Sequence, residues 1–394
     1  MSGRIVLSGG DAVLYEGIMH ESAVVVNDGF IESIGHVSEI TPSDTDTVID
    51  CRDRFVCPGF IDLHNQGGDG YTVMDGSDEH IQGLCRAHAA HGTTGLLLTP
   101  AIEGNTFRTL LPKLARAVNS KTGGAAVLGI HAEGPFINTG RPGCMPSDGF
   151  SEPDVGLLDD ILKAGCGTIV EMTIAPELPG SLDLILTLAR ENIVPSLGHT
   201  NATLDDVLRA IDCGAAHVTH LYNAMSGFNH REPGLAGAAL YSPDLTVELI
   251  ADGFHVHPWV LGFTVHTKGI ARTCLVTDAM PPLGLSDGEH ESLGRKVILE
   301  NGRLSLAEDR SVLAGSVLTL DRAVANMINM VGFNISDAVA MASATPAAVL
   351  GLDHRKGRLE AGFDADIAVL DRRYEACLTI VGGDIVYDAV TGKG

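Results

Sequence analysis

The stretch IVPSLGHTNATLDDVLRAIDCGAAHVTHL, residues 193–221, decides the fold of this chain. It holds two short apolar runs, which end at His199 and at the His220-Leu221 pair, and a segment between them that can form a helix. Thr203 can cap that helix, and Gly214 can end it. A strand, a helix and a second strand in this order are typical of a βα unit in a parallel sheet.

Six further apolar runs of the same kind lie outside this stretch. They are FIDLH (60–64), GLLLT (95–99), VLGIHAE (127–133), IVEMTIA (169–175), VELIAD (247–252) and CLVTDA (274–279). Most of the eight runs are separated by enough residues for a helix. The pattern therefore predicts an α/β fold, a (β/α)8 TIM-like barrel, over residues 59–350.

The two ends of the chain have a different pattern, with the alternation of apolar and polar residues that is typical of β-strands. In the first segment, Asp28-Gly29 stands between two apolar runs and suits a tight hairpin turn. Because neither terminal segment has enough strands to be stable alone, we expect residues 1–58 and 351–394 to form one small β-sandwich domain together.

Composition limits the classes of function. The chain has 394 residues, of which 45% are hydrophobic and 19% charged, as in an ordinary globular protein. Its net charge of −24 argues against a nucleic-acid partner. It contains no apolar stretch long enough to span a membrane and no signal peptide. Its eight cysteines form no CxxC pair, which suits a reducing compartment, so we expect a cytoplasmic protein.

Four polar residues fall at the carboxyl ends of predicted strands, where barrel enzymes have their active sites. Glu133, His199 and His220 make up one carboxylate and two imidazoles, a common ligand set for a catalytic divalent metal ion. Asp278 follows the last strand and precedes Ala-Met-Pro-Pro, which begins no good helix, so a capping role is disfavoured. We expect Asp278 to act as the general base.

Nine motifs along the chain resemble those of the N-acetylglucosamine-6-phosphate deacetylases of the amidohydrolase superfamily. They are PGFIDLH, HAEGPF, GHTNA, VTHLYNAM, REPGLAG, ADGFHVHP, LVTDAM, LAGS and GFDADIAVLD, in the order found in that family. The resemblance implies that the enzyme hydrolyses the acetamide of N-acetyl-D-glucosamine 6-phosphate to D-glucosamine 6-phosphate and acetate. It also implies a homodimer.

Carried over by motif, the resemblance assigns roles to individual residues. Glu133, His199 and His220 would bind the metal, and Asp278 would protonate the departing amine. Arg231 and His255 would lie near the sugar phosphate, which suits a guanidinium group. The remaining residues that it places against the substrate are Cys144 (through its backbone), Asn223, Ala224, Leu313, Ala314 and Gly315.

The sequence departs from the family pattern at two points. After the first strand, many superfamily members have His-x-His, but this chain has His64-Asn65-Gln66. Because an amide is a poorer ligand than imidazole for a borderline ion, we expect one Zn²⁺ per subunit, with His64 and Gln66 as a weak second site at most. Fe²⁺, Mn²⁺ and Co²⁺ accept the same ligands. The second departure is Met145, where the family usually has a histidine that touches the sugar.

These departures leave alternatives open. The substrate could be the galactosamine epimer or an unphosphorylated N-acetyl sugar, and a catalytically inactive scaffold is a remote third alternative. Five further histidines are interpreted as helix-surface or packing residues, namely His88, His91, His217, His257 and His266. Trp259 is interpreted as a packing residue in a helix, and His131 is expected to neighbour Glu133.

Overall fold

The computed structural model describes residues 4–118, 120–146 and 149–390, and it begins with five strands of a terminal sheet. These are β1 (Ile5–Leu14), β2 (Gly17–Asn27), β3 (Phe30–His36), β4 (Thr47–Asp50) and β5 (Phe55–Pro58). The first three form an antiparallel meander, in which Asp28 and Gly29 have φ of 48° and 85°, as the predicted hairpin requires. The other two are not part of the meander, since each returns parallel to β1.

A barrel of eight parallel strands follows, paired in chain order around the ring. Between its first two strands lies a short hairpin of β7 (Gly67–Gly68) and β8 (Tyr71–Thr72). The barrel strands are β6 (Phe60–Asp62), β9 (Thr93–Leu98), β10 (Ala126–Glu133), β11 (Ile169–Ile174), β12 (Val194–Leu197), β13 (His217–Val218), β14 (Thr246–Ile250) and β15 (Thr273–Val276). They coincide with the eight predicted apolar runs, so the predicted barrel is confirmed. A parallel bridge between Asn65 and Ala279 brings the first and last strands together.

Helices connect the barrel strands and share one apolar cluster with them. They are α1 (Asp78–Ala89), α2 (Phe107–Ala117), α3 (Val155–Ala164), α4 (Ser181–Arg190), α5 (Leu204–Asp212), α6 (Gly234–Tyr241), α7 (Pro258–Lys268), α8 (Leu320–Asn326), α9 (Ile335–Ala342) and α10 (Ala344–Val349). A 3-10 turn lies at Ile270–Arg272 and a π-helical segment at Met327–Val331. Thr203 caps α5 as predicted, in a reciprocal capping box with Asp206. Among the described helices, none has the length and apolar character needed to cross a membrane.

An antiparallel three-stranded sheet is inserted after β15, and the sequence analysis did not predict it. It comprises β16 (Gly288–Ser292), β17 (Arg295–Glu300) and β18 (Arg303–Leu306). Asn301-Gly302, with φ of 51° and 79°, makes the second turn, and such a pair between alternating runs is a strong hairpin signal. The apolar side of the sheet packs with Met280 and Ala314, near the carboxyl end of the barrel.

The chain returns to the terminal sheet with β19 (Ile367–Leu370), β20 (Ala376–Val381) and β21 (Asp384–Asp388). Because β19 pairs antiparallel with β5, the two ends of the chain share one sheet, in the order β21-β20-β19-β5-β1-β2-β3, with β4 beside β1. Side chains from both ends enclose a separate apolar cluster, which includes Ile5, Val24, Ile367 and Ile380. The expected β-domain of the terminal segments is therefore present. Residues 1–3 and 391–394 of those segments lie outside the described residues.

Candidate active site

Four polar side chains meet at the carboxyl end of the barrel because each lies at or just after the end of a strand. Glu133 is the last residue of β10, while His199, His220 and Asp278 each follow their strand by two residues. These last three have φ of 47°, 30° and 48°, a left-handed backbone that residues other than glycine rarely adopt. Strained backbone of this kind is concentrated at functional sites, and here it occurs at three neighbouring positions.

The atoms of Glu133, His199 and His220 that face one another form a compact triangle. Glu133 Oε1 is 3.1 Å from His199 Nε2 and 3.4 Å from His220 Nε2, and the two nitrogens are 3.0 Å apart. Two ligands of one tetrahedral zinc ion, at about 2.1 Å each, are separated by roughly 3.4 Å. The donor set and its spacing therefore fit a divalent metal ion.

Hydrogen bonds outside the triangle orient its ligands. His199 Nδ1 lies 2.8 Å from the carbonyl oxygen of Arg141, which can only accept, so Nδ1 carries the proton and Nε2 presents its lone pair to the triangle. The backbone N–H of His220 donates to Glu248 Oε2 over 2.9 Å, which fixes the turn that carries this imidazole. Such supporting contacts are typical of metal ligands in proteins.

Burial and charge act together on the site. Burial raises the pKa of Glu133, but the imidazoles of His64, His199 and His220 outweigh it and hold that pKa well below its usual value. Burial also raises the pKa of Asp278, and in this case the nearby imidazoles reverse the effect only in part. The site thus keeps one carboxylate ionised as a ligand and gives the second a raised proton affinity, which suits acid–base work.

His64 and Gln66 lie beside the triangle rather than in it. Gln66 Nε2 donates to Glu133 Oε2 over 3.0 Å and lies 3.5 Å from Asp278 Oδ1. His64 is fully buried, with its Nε2 3.5 Å from Asp278 Oδ1 and its Nδ1 bonded to Glu248 at 3.1 Å. In this arrangement Gln66 acts as a hydrogen-bond donor to the carboxylates.

A cavity of about 260 Å³ opens above the triangle. Besides Gln66, Glu133, His199, His220 and Asp278, it is lined by Gly143, Cys144, Met145, Asn223, Ala224, His255, Ser311, Val312, Leu313 and Gly315. Most residues that the sequence analysis placed against a substrate therefore line this cavity. Ser311 and Val312 were missed, although they directly precede Leu313.

Two predicted substrate residues are placed elsewhere. Ala314 is fully buried behind the cavity wall, in the cluster under the inserted sheet. Arg231 is exposed, with its guanidinium 3.3 Å from the ring of His230, and it is absent from the described lining of the cavity.

His255 and the loop at 143–145 occupy different sides of the cavity. Asp252 Oδ2 contacts His255 Nδ1 at 2.7 Å, which directs the opposite ring nitrogen away from this carboxylate. The carbonyl of Cys144 accepts a hydrogen bond from Arg295 on β17, so the inserted sheet holds this loop. Met145 is nearly buried and packs with Ala101 and Ile137.

The structure also corrects the interpretation of Trp259 as a packing residue. Trp259 is 84% exposed on α7, so it does not pack in the core. His217 is a fully buried strand residue near Glu171 and Glu248, and the sequence analysis assigned no role to either glutamate. The sequence did contain a signal for these two glutamates, because a charged residue in the middle of an apolar strand becomes buried and then needs a partner. His131 neighbours Glu133 as expected, and its ring bonds Thr173 and the carbonyl of Leu63.

The chain matches known proteins over nearly its whole length. The model of the amidohydrolase family matches residues 55–391. The N-acetylglucosamine-6-phosphate deacetylase of Bacillus subtilis (strain 168) is 35% identical over 374 residues, which cover 94% of each chain. The N-acetylgalactosamine-6-phosphate deacetylase of Escherichia coli O157:H7 is 34% identical, over 90% of this chain and 92% of that one.

A solved structure agrees with these matches. A mutant N-acetyl-D-glucosamine-6-phosphate deacetylase from Mycobacterium smegmatis, in complex with N-acetyl-D-glucosamine-6-phosphate, superposes with a TM-score of 0.91 at 31% identity. The superposition covers 98% of this chain and all of that one. The chain belongs to the N-acetylglucosamine-6-phosphate deacetylases of the amidohydrolase family.

Proposed function

We propose that this protein hydrolyses the acetamide of N-acetyl-D-glucosamine 6-phosphate to D-glucosamine 6-phosphate and acetate. The observation that carries the proposal is the position of Asp278 beside the triangle of Glu133, His199 and His220, in one cavity. Similarity to deacetylases of this name over nearly the whole chain supports the same reaction.

The metal would be held by Glu133, His199 and His220, whose donor atoms lie within 3.4 Å of one another. When bound, a divalent ion polarises a carbonyl and lowers the pKa of water. We propose a single Zn²⁺ at the catalytic site, because Gln66 uses its amide nitrogen on the two carboxylates and offers only a weak oxygen ligand.

Asp278 is the proton carrier in this proposal. Its carboxylate takes the proton from the attacking water and delivers it to the nitrogen of the leaving amine. Burial raises the pKa of Asp278, which makes the group a stronger base than an exposed aspartate. The amide of Gln66, 3.5 Å away, holds the carboxylate toward the triangle.

The rest of the cavity would position the sugar. Asn223, Ala224 and the segment from Leu313 to Gly315 would surround the N-acetyl group, and the backbone of Cys144 would contact the sugar. His255 would bind the phosphate from the cavity wall. Arg231 would join it only after a movement of its exposed segment, so its role as an anchor rests on the family motif.

The galactosamine epimer is the second candidate substrate. Met145 lines the cavity where the family usually has a sugar-contacting histidine, and a thioether cannot donate a hydrogen bond to a hydroxyl. The similarity of this chain to a deacetylase of N-acetylgalactosamine 6-phosphate also supports testing this epimer as a substrate. The inactive scaffold gains no support, because Glu133 and Asp278 are both present at the site.

We also propose a homodimer formed through the exposed side of α7. Phe254, Trp259, Phe263 and Met330 are 44–84% exposed there, and a large exposed apolar surface is typical of an interface. Trp259→Glu should convert a dimer to a monomer in light scattering, whereas Tyr15→Glu on the terminal sheet should leave a dimer. A monomeric wild-type protein would contradict this assembly.

The cellular location and the domain boundaries are proposals too. All eight cysteines are free, which agrees with a reducing cytoplasm. We propose that the barrel domain spans residues 59–350, and that residues 1–58 and 351–394 form the two parts of the β-sandwich domain.

Metal removal and return test the proposed reaction. Purified protein that has been treated with a chelator should release no acetate from N-acetylglucosamine 6-phosphate, and Zn²⁺ should restore release. Absence of acetate with every divalent ion tried, including Fe²⁺, Mn²⁺ and Co²⁺, would contradict the proposal.

A further inference from the structure

Inside the barrel, deeper than the metal-ligand triangle, a second group of three side chains converges. Glu171 on β11, His217 on β13 and Glu248 on β14 are all fully buried. One ligand atom from each lies within 4.8 Å of the others. The proposed reaction assigns no role to Glu171 or His217.

Four polar atoms of this group have no hydrogen-bond partner among the described residues. They are both carboxylate oxygens of Glu171, Oε1 of Glu248 and Nε2 of His217. Buried polar atoms are nearly always paired, and those that are not require an explanation such as a bound ion or water. Four such atoms at one point indicate that something binds between them.

The distances in the group are too long for hydrogen bonds and suit shared coordination. His217 Nε2 is 3.6 Å from Glu248 Oε1 and 3.9 Å from Glu171 Oε1. Ligands of one zinc ion are roughly 3.4 Å apart in a regular tetrahedron, and farther apart when the angle at the ion opens.

The second polar atom of His217 and of Glu248 is fixed by hydrogen bonds, so the free atom of each of these side chains points into the group. Thr246 Oγ1 donates to the carbonyl of Ala216, and it therefore accepts from His217 Nδ1. This leaves the lone pair of a neutral His217 on Nε2, the atom that faces the two carboxylates. Glu248 Oε2 contacts His64 and accepts from the backbone of His220, so only Oε1 is directed into the group.

The charge of the group is compatible with a cation as the occupant. As metal ligands, two ionised carboxylates and a neutral imidazole would carry a charge of −2, which is unfavourable in a buried site unless it is balanced. A divalent ion balances it completely. Both the carboxylate oxygens and the imidazole nitrogen are accepted ligands of Zn²⁺.

We propose that Glu171, His217 and Glu248 bind a second divalent cation of the Zn²⁺ class, at a buried site inside the barrel. Glu248 connects this site to the catalytic one, because its other oxygen contacts His64 and the backbone of His220. The proposal does not depend on which substrate the enzyme hydrolyses.

Metal counting tests the proposal. The full-length protein is loaded with Zn²⁺ alone, desalted and analysed by plasma mass spectrometry, and we expect two ions per chain. Glu171→Gln, which keeps the shape of the side chain, should bind one ion, and Glu133→Gln should also bind one. The matched control Gln66→Ala should still bind two, because it removes only the alternative second site at His64 and Gln66.

Anomalous diffraction at the zinc edge locates the ions directly in wild-type crystals and does not depend on any variant folding. Peaks at both groups of ligands would support the proposal. A single ion per chain would overturn the proposal, and it is the result expected if a water molecule occupies the site and Glu171 is protonated. A second peak beside Gln66 would also overturn it. Neither experiment measures acetate, so failure of this proposal leaves the proposed reaction untouched.

Discussion

Replacing Asp278 by asparagine removes the proton carrier and leaves the shape of the cavity unchanged. Asn has nearly the same volume as Asp, and the carboxylate oxygen that it replaces is 3.5 Å from both Gln66 Nε2 and His64 Nε2. An uncharged amide beside the triangle should therefore leave metal binding and substrate binding largely intact.

The magnitude follows from what else could act as a base in the cavity. Glu133 is occupied, since Oε1 faces His199 and His220 and Oε2 accepts from Gln66. The carboxylate of Glu248 is fully buried and is absent from the described lining of the cavity. General acid–base catalysis is worth about 10²–10⁴-fold, and without a second free carboxylate among the described lining residues we expect the upper part of that range, about 10³–10⁴ in kcat or roughly 4–5.5 kcal/mol.

The assay is acetate release at saturating N-acetylglucosamine 6-phosphate, with the metal content and Tm of each variant measured in parallel. Asp212→Asn, on the exposed end of α5, serves as the control and should stay within about twofold of wild type. If Asp278→Asn kept more than about a tenth of the wild-type kcat, it would refute the assignment of the base. A large loss that is accompanied by metal loss would refute the claim that Asp278 is not a ligand.

Three further predictions concern binding and stability. Arg231→Glu should raise KM for the phosphorylated sugar by about tenfold or more, with a smaller change in kcat. It should leave hydrolysis of an unphosphorylated sugar unchanged, and equal effects on both sugars would contradict a role for Arg231 in phosphate binding. Thr203→Ala should lower the free energy of unfolding by about 1 kcal/mol in urea titrations, because the capping box of α5 is lost, and an unchanged midpoint would contradict this. Burial raises the pKa of Asp364, but the cations of Arg355 and Lys356 outweigh burial and hold this pKa below the unfolded value of 3.8. The stability that this carboxylate contributes is therefore present above about pH 4 and is lost as the pH falls further. Lys356→Gln should cost about 1–3 kcal/mol at pH 7 and flatten the fall of Tm below about pH 4, and a parallel fall in both proteins would count against the ion pair.

The sequence predicted the barrel well because its strands are buried on both faces. Such strands read as continuous apolar runs, and the eight runs correspond to the eight barrel strands one for one. Glu133, His199, His220 and Asp278 were found for a related reason, since the carboxyl ends of parallel strands converge whatever the intervening helices do.

Features that depend on distant contacts were harder to predict. The inserted sheet β16–β18 was missed, although Asn301-Gly302 marks its turn. Glu171 and Glu248 lie within apolar runs, and only the closed barrel shows that both point at His217. Likewise, the exposure of Trp259 depends on what packs against α7, and the sequence of the helix does not contain that information.

The measurement that tests the central claim most directly is acetate release by the Zn²⁺-loaded enzyme from three substrates in parallel. These are N-acetylglucosamine 6-phosphate, its galactosamine epimer and unphosphorylated N-acetylglucosamine. The account predicts that kcat/KM is highest for N-acetylglucosamine 6-phosphate and exceeds that of the unphosphorylated sugar by about 100-fold, or roughly 2.7 kcal/mol. A higher kcat/KM for the epimer would identify that sugar as the preferred substrate. Equal or faster hydrolysis of the unphosphorylated sugar would contradict the account.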